Sequence, residues 1–251
     1  TAAGGEISVL DNGSFGSLTI IKAITVNGDS NLTALLNAGT TGITVNAGAN
    51  DIVYIRNISF NGAGTGTIGI RYLAGKALHV ENCNIYGNGS TAAGSGHGIF
   101  ANLSSSGLLF VKDTNIKNCG VSGITAQTSS GFLGGSIDHV RLEGLPTGLV
   151  IGNNSFVSVR DSVINFNTIA GVSITGSGSP TGSFDNCMIN NNPTGINVGA
   201  TGIMNLSSSV LESNTTAISS AAPQANLRSS GNNRLLGNTS DGATLTVILQ
   251  K

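Results

Sequence analysis

A glycine followed by an aliphatic residue recurs along this sequence at an almost regular interval. The pair occurs at Gly42-Ile43, Gly69-Ile70, Gly98-Ile99, Gly123-Ile124, Gly148-Leu149, Gly171-Val172 and Gly195-Ile196, with Ala217-Ile218 as a degenerate eighth copy. The intervals are 27, 29, 25, 25, 23, 24 and 22 residues. A period that drifts within this range is typical of a solenoid whose turns differ slightly in length. The repeat therefore predicts a single solenoid domain over residues 1–251.

Each repeat also contains a six-residue segment whose first and last positions are apolar. The segments span residues 21–26, 55–60, 80–85, 111–116, 137–142, 159–164, 184–189 and 206–211. This pattern indicates two short strands separated by a bend, with each strand paired to its equivalent one repeat away. The last position then predicts an apolar stack in the core, formed by Val26, Phe60, Ile85, Ile116, Leu142, Ile164, Ile189 and Leu211. The sequence therefore predicts an all-β fold, a parallel β-helix of about nine coils.

The second and third positions of each segment are polar, apart from Ala23, and form two further columns. The third position predicts a tight bend, because Asn and Asp tolerate left-handed backbone; it holds Ala23, Asn57, Asn82, Asp113, His139, Asp161, Asn186 and Ser208. The second position holds Lys22, Arg56, Glu81, Lys112, Asp138, Arg160, Asp185 and Ser207. Its charge alternates in sign from Arg56 to Asp185, and Lys117 and Glu143 make one more such pair in another column. This alternation favours a stabilising ladder of opposite charges on neighbouring strands.

The glycine-aliphatic turns and the segment Val80–Asn88, with its degenerate copies, resemble bacterial right-handed parallel β-helix repeat proteins. These proteins belong to the broad pectate-lyase-like superfamily, and the resemblance covers essentially the whole chain. It implies a right-handed coil but no particular activity, because the superfamily includes lyases, hydrolases, epimerases, phage tailspikes and proteins of no known activity.

The resemblance also implies a helix that caps the first coil, and the sequence departs from that pattern. It opens on residues 2–5, Ala-Ala-Gly-Gly, and enters a predicted strand at residues 6–10, so the N-terminal cap is expected to be missing. At the other end, residues 226–251 are predicted to form an irregular coil that a strand at residues 244–249 closes. Uncapped coils expose strand edges.

Composition excludes several classes of partner. Charged residues make up 9% of the chain, the net charge is −1, and the 11 Lys and Arg form no basic stripe, so we expect no nucleic-acid partner. No apolar run approaches 18 residues, which predicts no membrane span. The sequence predicts no cofactor and no metal site. A secreted or cell-surface location is expected, with the signal absent from these residues.

One histidine motif and the three cysteines invite comparison with known sites. Residues 96–98, Gly-His-Gly, are similar to a motif of polygalacturonases, but the paired aspartates and the Arg-x-Lys that this family needs are absent, and His97 is predicted to be an exposed turn residue. Cys83, Cys119 and Cys187 fit no zinc spacing, and Cys83 and Cys187 are four coils apart, too far for a disulfide. All three are predicted to be small buried residues.

Two groups remain as weak candidates for function. Asp113, His139 and Asp161 are successive members of the bend column, where a His between two carboxylates could act as an acid or base or resemble part of a calcium site. A stabilising ladder is the favoured interpretation of this group. Tyr54, Tyr72 and Tyr86 occur in two early coils and suggest a sugar-binding platform.

The sequence favours a non-catalytic secreted or cell-surface β-helix that serves as a structural or glycan-contacting module, with polysaccharide as its candidate partner. One alternative is a carbohydrate-active enzyme, a polysaccharide lyase or hydrolase. Another is a subunit that self-associates through the ends of the helix into a filament or oligomer.

Overall fold

The computed structural model describes residues 1–29 and 33–248, and this part of the chain winds into a parallel β-helix. Each coil contributes one strand to each of three sheets, and every strand pair is parallel. The predicted fold of about nine coils is confirmed. The described residues contain one 3₁₀ turn, Gln224–Asn226, and no helix long and apolar enough to cross a membrane.

The three sheets contain 11, 10 and 10 strands among the described residues. Sheet A comprises β1 Gly5–Ser8, β4 Ile24–Asn27, β7 Ile52–Arg56, β10 Ala77–Glu81, β13 Gly107–Lys112, β16 Leu133–Asp138, β19 Ser155–Arg160, β22 Thr181–Asp185, β25 Ile203–Ser207, β28 Leu227–Ser229 and β31 Thr246–Val247. Sheet B comprises β2 Gly13–Phe15, β5 Thr33–Leu36, β8 Ser59–Asn61, β11 Asn84–Tyr86, β14 Asn115–Lys117, β17 Arg141–Glu143, β20 Val163–Asn165, β23 Met188–Asn190, β26 Val210–Glu212 and β29 Arg234–Leu236. Sheet C comprises β3 Leu18–Ile20, β6 Thr41–Asn46, β9 Ile68–Ala74, β12 His97–Leu103, β15 Ser122–Thr128, β18 Thr147–Ile151, β21 Ala170–Ile174, β24 Thr194–Val198, β27 Thr216–Ser220 and β30 Ser240–Gly242.

The repeated glycines lie in sheet C, where neighbouring coils approach most closely. A Cβ atom on any of the seven glycines would lie 2.5–2.7 Å from a backbone carbonyl oxygen of the next coil. This distance is too short for a real contact, so any residue with a Cβ atom would push the two coils apart. The aliphatic residue after each glycine is fully buried in the core. The sequence repeat therefore records a backbone contact between coils, repeated along the axis.

The predicted core column of sheet B is confirmed from Phe60 to Leu211, with each residue paired to its equivalent in the next coil. The first member is wrong: Val26 pairs with Ile55 in sheet A, and Leu35 is the partner of Phe60. Nine positions separate Val26 from Leu35, whereas five separate Ile55 from Phe60. The bend of this coil is therefore four residues longer, so Lys22 and Ala23 also lie outside their predicted columns.

The predicted left-handed bend is confirmed in seven consecutive coils. The φ angles lie between +48° and +58° at Asn57, Asn82, Asp113, His139, Asp161, Asn186 and Ser208. Side-chain amides connect part of this exposed column, since Asn82 donates to Asn57 at 2.7 Å and Asn186 donates to Asp161 at 2.6 Å. The bend turns the chain from sheet A into sheet B.

The charged column has the predicted register, because residues Arg56 to Asp185 lie opposite one another on adjacent strands of sheet A. Only two of these neighbours form ion pairs: Arg56 with Glu81 at 2.8 Å and Asp138 with Arg160 at 3.1 Å. Lys112 instead lies 3.9 Å from Asp113 in its own coil. Because exposed ion pairs contribute little, the ladder adds modestly to stability.

A second asparagine ladder, which the sequence did not predict, is buried at the bend between sheets B and C. The amide of Asn167 donates to Asn192 at 3.0 Å, and Asn192 donates to Asn214 at 3.1 Å. In earlier coils Asn37 donates to Asn88 at 2.7 Å, and Cys119 takes the next place, 3.9 Å from the Asn88 amide nitrogen. These amides bind backbone groups that the turn would otherwise leave unpaired in the interior.

The three cysteines are buried and free, as predicted. Burial raises the pKa of the Cys83 thiol to about 12 and of the Cys119 and Cys187 thiols to about 11. A thiol held neutral in this way is a poor nucleophile and a poor metal ligand. The cysteines therefore act as small core residues.

The two ends of the chain are more regular than the sequence suggests. Strand β1 covers most of the predicted strand at residues 6–10, and β28 to β31 continue all three sheets through the region predicted to be irregular. The predicted closing strand shortens to β31, and its last residue, Leu249, lies outside the described residues. A missing cap and self-association through the ends stay predictions.

We expect Asn192→Ala to lower the free energy of unfolding by roughly 2–4 kcal/mol, because it leaves several buried polar groups without partners. Urea denaturation measures the change. The matched control is Asn197→Ala, on the outer face of sheet C, which should cost less than about 0.5 kcal/mol. Equal effects of the two substitutions would contradict a structural role for the buried ladder.

Candidate functional site

The outer face of sheet A carries three columns of side chains, because alternate residues of each strand point away from the core. The central column changes character along the axis. From Tyr54 onward it holds Tyr54, His79 and Phe110, then Ser136, Ser158, Ser183 and Asn205, and then Arg228, all in register. The charged column lies two positions later in each strand. The third column, two positions earlier, is mostly apolar.

The three aromatic residues form a continuous stack. The ring of Tyr54 lies 4.4 Å from His79, whose ring lies 4.5 Å from Phe110, with interplanar angles of 21° and 15°. The guanidinium of Arg56 lies 4.6 Å above the Tyr54 ring. Burial is the main cause of a lowered pKa at His79. Because the rings cover one another, this stack presents edges to solvent, and only the far face of Phe110 is left uncovered by the stack.

Beyond Phe110 the small side chains of the central column form the floor of a groove. Ser136 and Ser158 are exposed, and Asn205 donates a hydrogen bond to Ser183 at 3.0 Å. One rim of the groove is the charged column, with Asp138, Arg160 and Asp185. We call the site formed by these three residues and the floor residues Ser136, Ser158, Ser183 and Asn205 the sheet A groove. The aromatic stack ends at Phe110, whose ring is larger than the serine side chains that follow it and forms a step at this end of the groove.

The opposite rim is apolar. Phe156 is 47% exposed and follows Leu108 and Gly134 in this column, while Phe132 is 51% exposed and packs beside Gly134. Large exposed aromatic side chains beside a polar groove are typical of ligand-binding surfaces. Towards the C-terminal end, a depression of about 490 Å³ lies over Ser158, Ser183 and Asn205 and ends near Arg228.

The charged rim joins a cluster of ionisable side chains at the bend. His139 Nδ1 lies 2.8 Å from Asp138 Oδ1, and Arg160 lies 3.1 Å from Asp138 and 3.3 Å from Asp161. The hydrogen bond from Arg160 lowers the pKa of the Asp138 carboxyl, and the same contact raises the pKa of Arg160. Two of the predicted residues, His139 and Asp161, therefore come together, but through Asp138 and Arg160 rather than Asp113.

The ligand atoms of Asp138, His139 and Asp161 lie within 4.8 Å of one another, a spacing compatible with a cation. The guanidinium of Arg160 already occupies the space between the two carboxylates. Asp113 lies one coil away and faces Lys112 at 3.9 Å. The cluster is therefore an ion-paired network rather than an open set of oxygen ligands such as calcium requires.

The predicted tyrosine platform does not assemble, because the three tyrosines lie on three different sheets. Tyr54 belongs to the stack on sheet A, and Tyr86 lies on the outside of sheet B. Tyr72 is completely buried in sheet C, where its hydroxyl donates to the Gly75 carbonyl at 2.8 Å and burial raises its pKa. The structure thus retains Tyr54 alone for a surface aromatic site.

The prediction that His97 is an exposed turn residue is wrong. Its side chain is buried, the residue being 7% exposed; its ring stacks on Phe100 at 4.3 Å, and Nδ1 lies 2.8 Å from the Ser122 hydroxyl. Burial without a charged partner lowers the pKa of His97 to about 4. This histidine is therefore neutral at physiological pH and serves packing.

His79, Phe110 and the serine row were missed, although a signal for them existed. Each lies two residues before the charged column, so aligning Arg56, Glu81 and Lys112 would have aligned them as well.

No protein-family model and no curated protein matches this sequence. Among solved structures, the chain is similar to the A-module of the mannuronan C-5 epimerase AlgE4 from Azotobacter vinelandii. The TM-score is 0.59 and the identity 9%, over 99% of this chain and 91% of the other. This likeness confirms the right-handed parallel β-helix and shows the fold alone.

The buried His97 should make stability fall as the pH drops from 7 to 4.5. The unfolded chain takes up the proton near pH 6.5, but the folded chain resists it until about pH 4, so acid favours unfolding in that interval. The loss is on the order of 3 kcal/mol at most. Urea denaturation at both pH values measures it, and His97→Phe should flatten the dependence. An unchanged slope in that variant would contradict the assignment.

Proposed function

We propose that this protein binds a polysaccharide in the sheet A groove. The observation that supports this is the row of hydroxyl and amide side chains, one per coil. The row lies between the charged rim and the apolar rim that contains Phe156. Sugar hydroxyls form hydrogen bonds with such a floor, and the apolar faces of sugar rings pack against aromatic side chains. A binding surface with this division fits a carbohydrate better than a protein or a lipid.

The sugars of a polysaccharide repeat at a regular interval, as do the coils that form the floor of the groove. Neighbouring floor residues lie about 4.8 Å apart, so each coil offers the next sugar of a chain a similar set of contacts. Several weak contacts of one kind then add up along the polymer. The fold likeness to an epimerase of mannuronan, itself a polysaccharide, supports the same class of ligand. The secreted or cell-surface location expected from the sequence is consistent with it.

We expect Ser158→Trp to weaken polysaccharide binding at least about tenfold, because the indole would fill the middle of the groove. Affinity electrophoresis against neutral and acidic polysaccharides measures the change. The matched control is Ser173→Trp, which places the same side chain on the outer face of sheet C. Equal binding by both variants, or no binding by the unmodified protein, would refute the proposal.

A second candidate function is chemical modification of the bound polysaccharide. The observation that favours it is the contact between His139 and Asp138 at the groove rim, with Arg160 beside them. A carboxylate that orients an imidazole is a common arrangement for proton transfer. His139 is exposed, so a ligand in the groove has access to its ring.

His139→Asn tests this second candidate with little effect on the fold, because Asn occupies the same left-handed position in other coils. If His139 transfers a proton, activity on a polysaccharide panel should fall at least about a hundredfold while the melting temperature changes little. Product analysis by chromatography or NMR provides the measurement. Full activity in the variant would exclude His139 as the acid or base, and an inactive parent protein would leave binding as the function.

A further inference from the structure

We infer that the polysaccharide bound by the sheet A groove carries no acidic groups and lies along the helix axis with one sugar per coil. This inference rests on the proposed function and specifies its ligand. It follows from the balance of charge along the groove, from the side chains of the floor and from the step that closes one end.

The charges beside the groove do not attract a polyanion. From Lys112 to Asp185 the rim holds two cations and two acids, and the adjoining bend adds Asp113 and Asp161. Four acids therefore face these two cations, Arg228 adds a third cation where the floor ends, and the summed charge along the groove is slightly negative. A polymer with one carboxylate per sugar would meet net repulsion, whereas an uncharged polymer would not.

The cations near the floor are already engaged. Arg160 binds Asp138 and Asp161, and the Asp185 carboxylate also contributes to its raised pKa. Lys112 lies 3.9 Å from Asp113. Binding a sugar carboxylate would require the guanidinium to give up two existing partners. At the far end Arg228 forms no ion pair with any described residue, its Nε donates to a backbone carbonyl, and it serves one sugar at most.

Between Phe110 and Arg228 the floor is uncharged and suited to hydroxyl groups. Ser136 and Ser158 are exposed and can both donate and accept hydrogen bonds, and Asn205 adds an amide. Such groups bind neutral sugars without the desolvation cost that a buried charge carries. The selectivity of the groove thus arises from hydrogen bonds and ring packing.

The direction and length of the ligand follow from the geometry of the columns. The floor runs parallel to the axis between its two neighbouring columns, and the Phe110 ring ends it at one side. Four coils, those of Ser136, Ser158, Ser183 and Asn205, lie between this step and Arg228, which takes the next place in the column. Affinity for neutral oligosaccharides should therefore rise with chain length up to about four sugars and change little after that, since each coil offers one set of contacts.

The test compares neutral polymers (a β-glucan, a galactomannan and a xylan) with polygalacturonate and polymannuronate by isothermal titration at low and high salt. We expect a neutral polymer to bind with an affinity that salt changes less than about twofold. Polyuronates should bind at least about tenfold more weakly. Ser158→Trp should abolish the binding of the neutral polymer.

A charge variant sharpens the comparison. Asp185→Lys reverses one rim charge and should increase the ratio of polyuronate affinity to neutral-polymer affinity several-fold. Glu212→Lys makes the same charge reversal on sheet B and should leave that ratio unchanged. Tighter, salt-sensitive binding of a polyuronate that Ser158→Trp abolishes would overturn this inference and leave the proposed function intact. If no polymer binds, or if Ser158→Trp has no effect on binding, the proposed function fails and this inference with it.

Discussion

Seven consecutive coils of this solenoid depend on the left-handed residue that follows the sheet A strand. They place Asn, Asp, His or Ser at a φ near +50° there. Most side chains are strained in this conformation, and these are the residue types that tolerate it best. Because the bend has the same position in each coil, the charged residue before it and the groove residue three positions before it are aligned along the axis. The functional surface is thus a consequence of the turn.

The sequence was sufficient to predict the fold and most of the register, because glycines and apolar residues recur where coils touch. The predicted register is wrong in the second coil, where the bend between Val26 and Leu35 is longer and a segment of similar pattern lies next to it. A repeat detected by spacing alone cannot distinguish a true equivalent from a neighbour when the insertion falls inside the repeat.

The candidate site was harder to predict, because residue type does not reveal burial. Asn186 lies at the exposed bend and Asn192 in the buried ladder, six residues apart in the same coil. His97 and His139 likewise differ only in their surroundings. His139 and Asp161 could be selected from the bend column, but the part played by Asp138 and Arg160 depends on side-chain directions that spacing does not specify. The groove is formed by all three outward columns of sheet A together, so no single column of the sequence predicts it.

The alternating rim gives the groove two different periods. Its floor repeats every coil, whereas its charge pattern repeats every second coil. An uncharged chain that shifts by one sugar meets nearly the same surface, so several shifted positions have similar energies. A charged chain would meet opposite signs after the same shift. An uncharged chain bound there as proposed would therefore have several shifted positions of similar energy, and these positions would contribute a favourable statistical entropy to its retention.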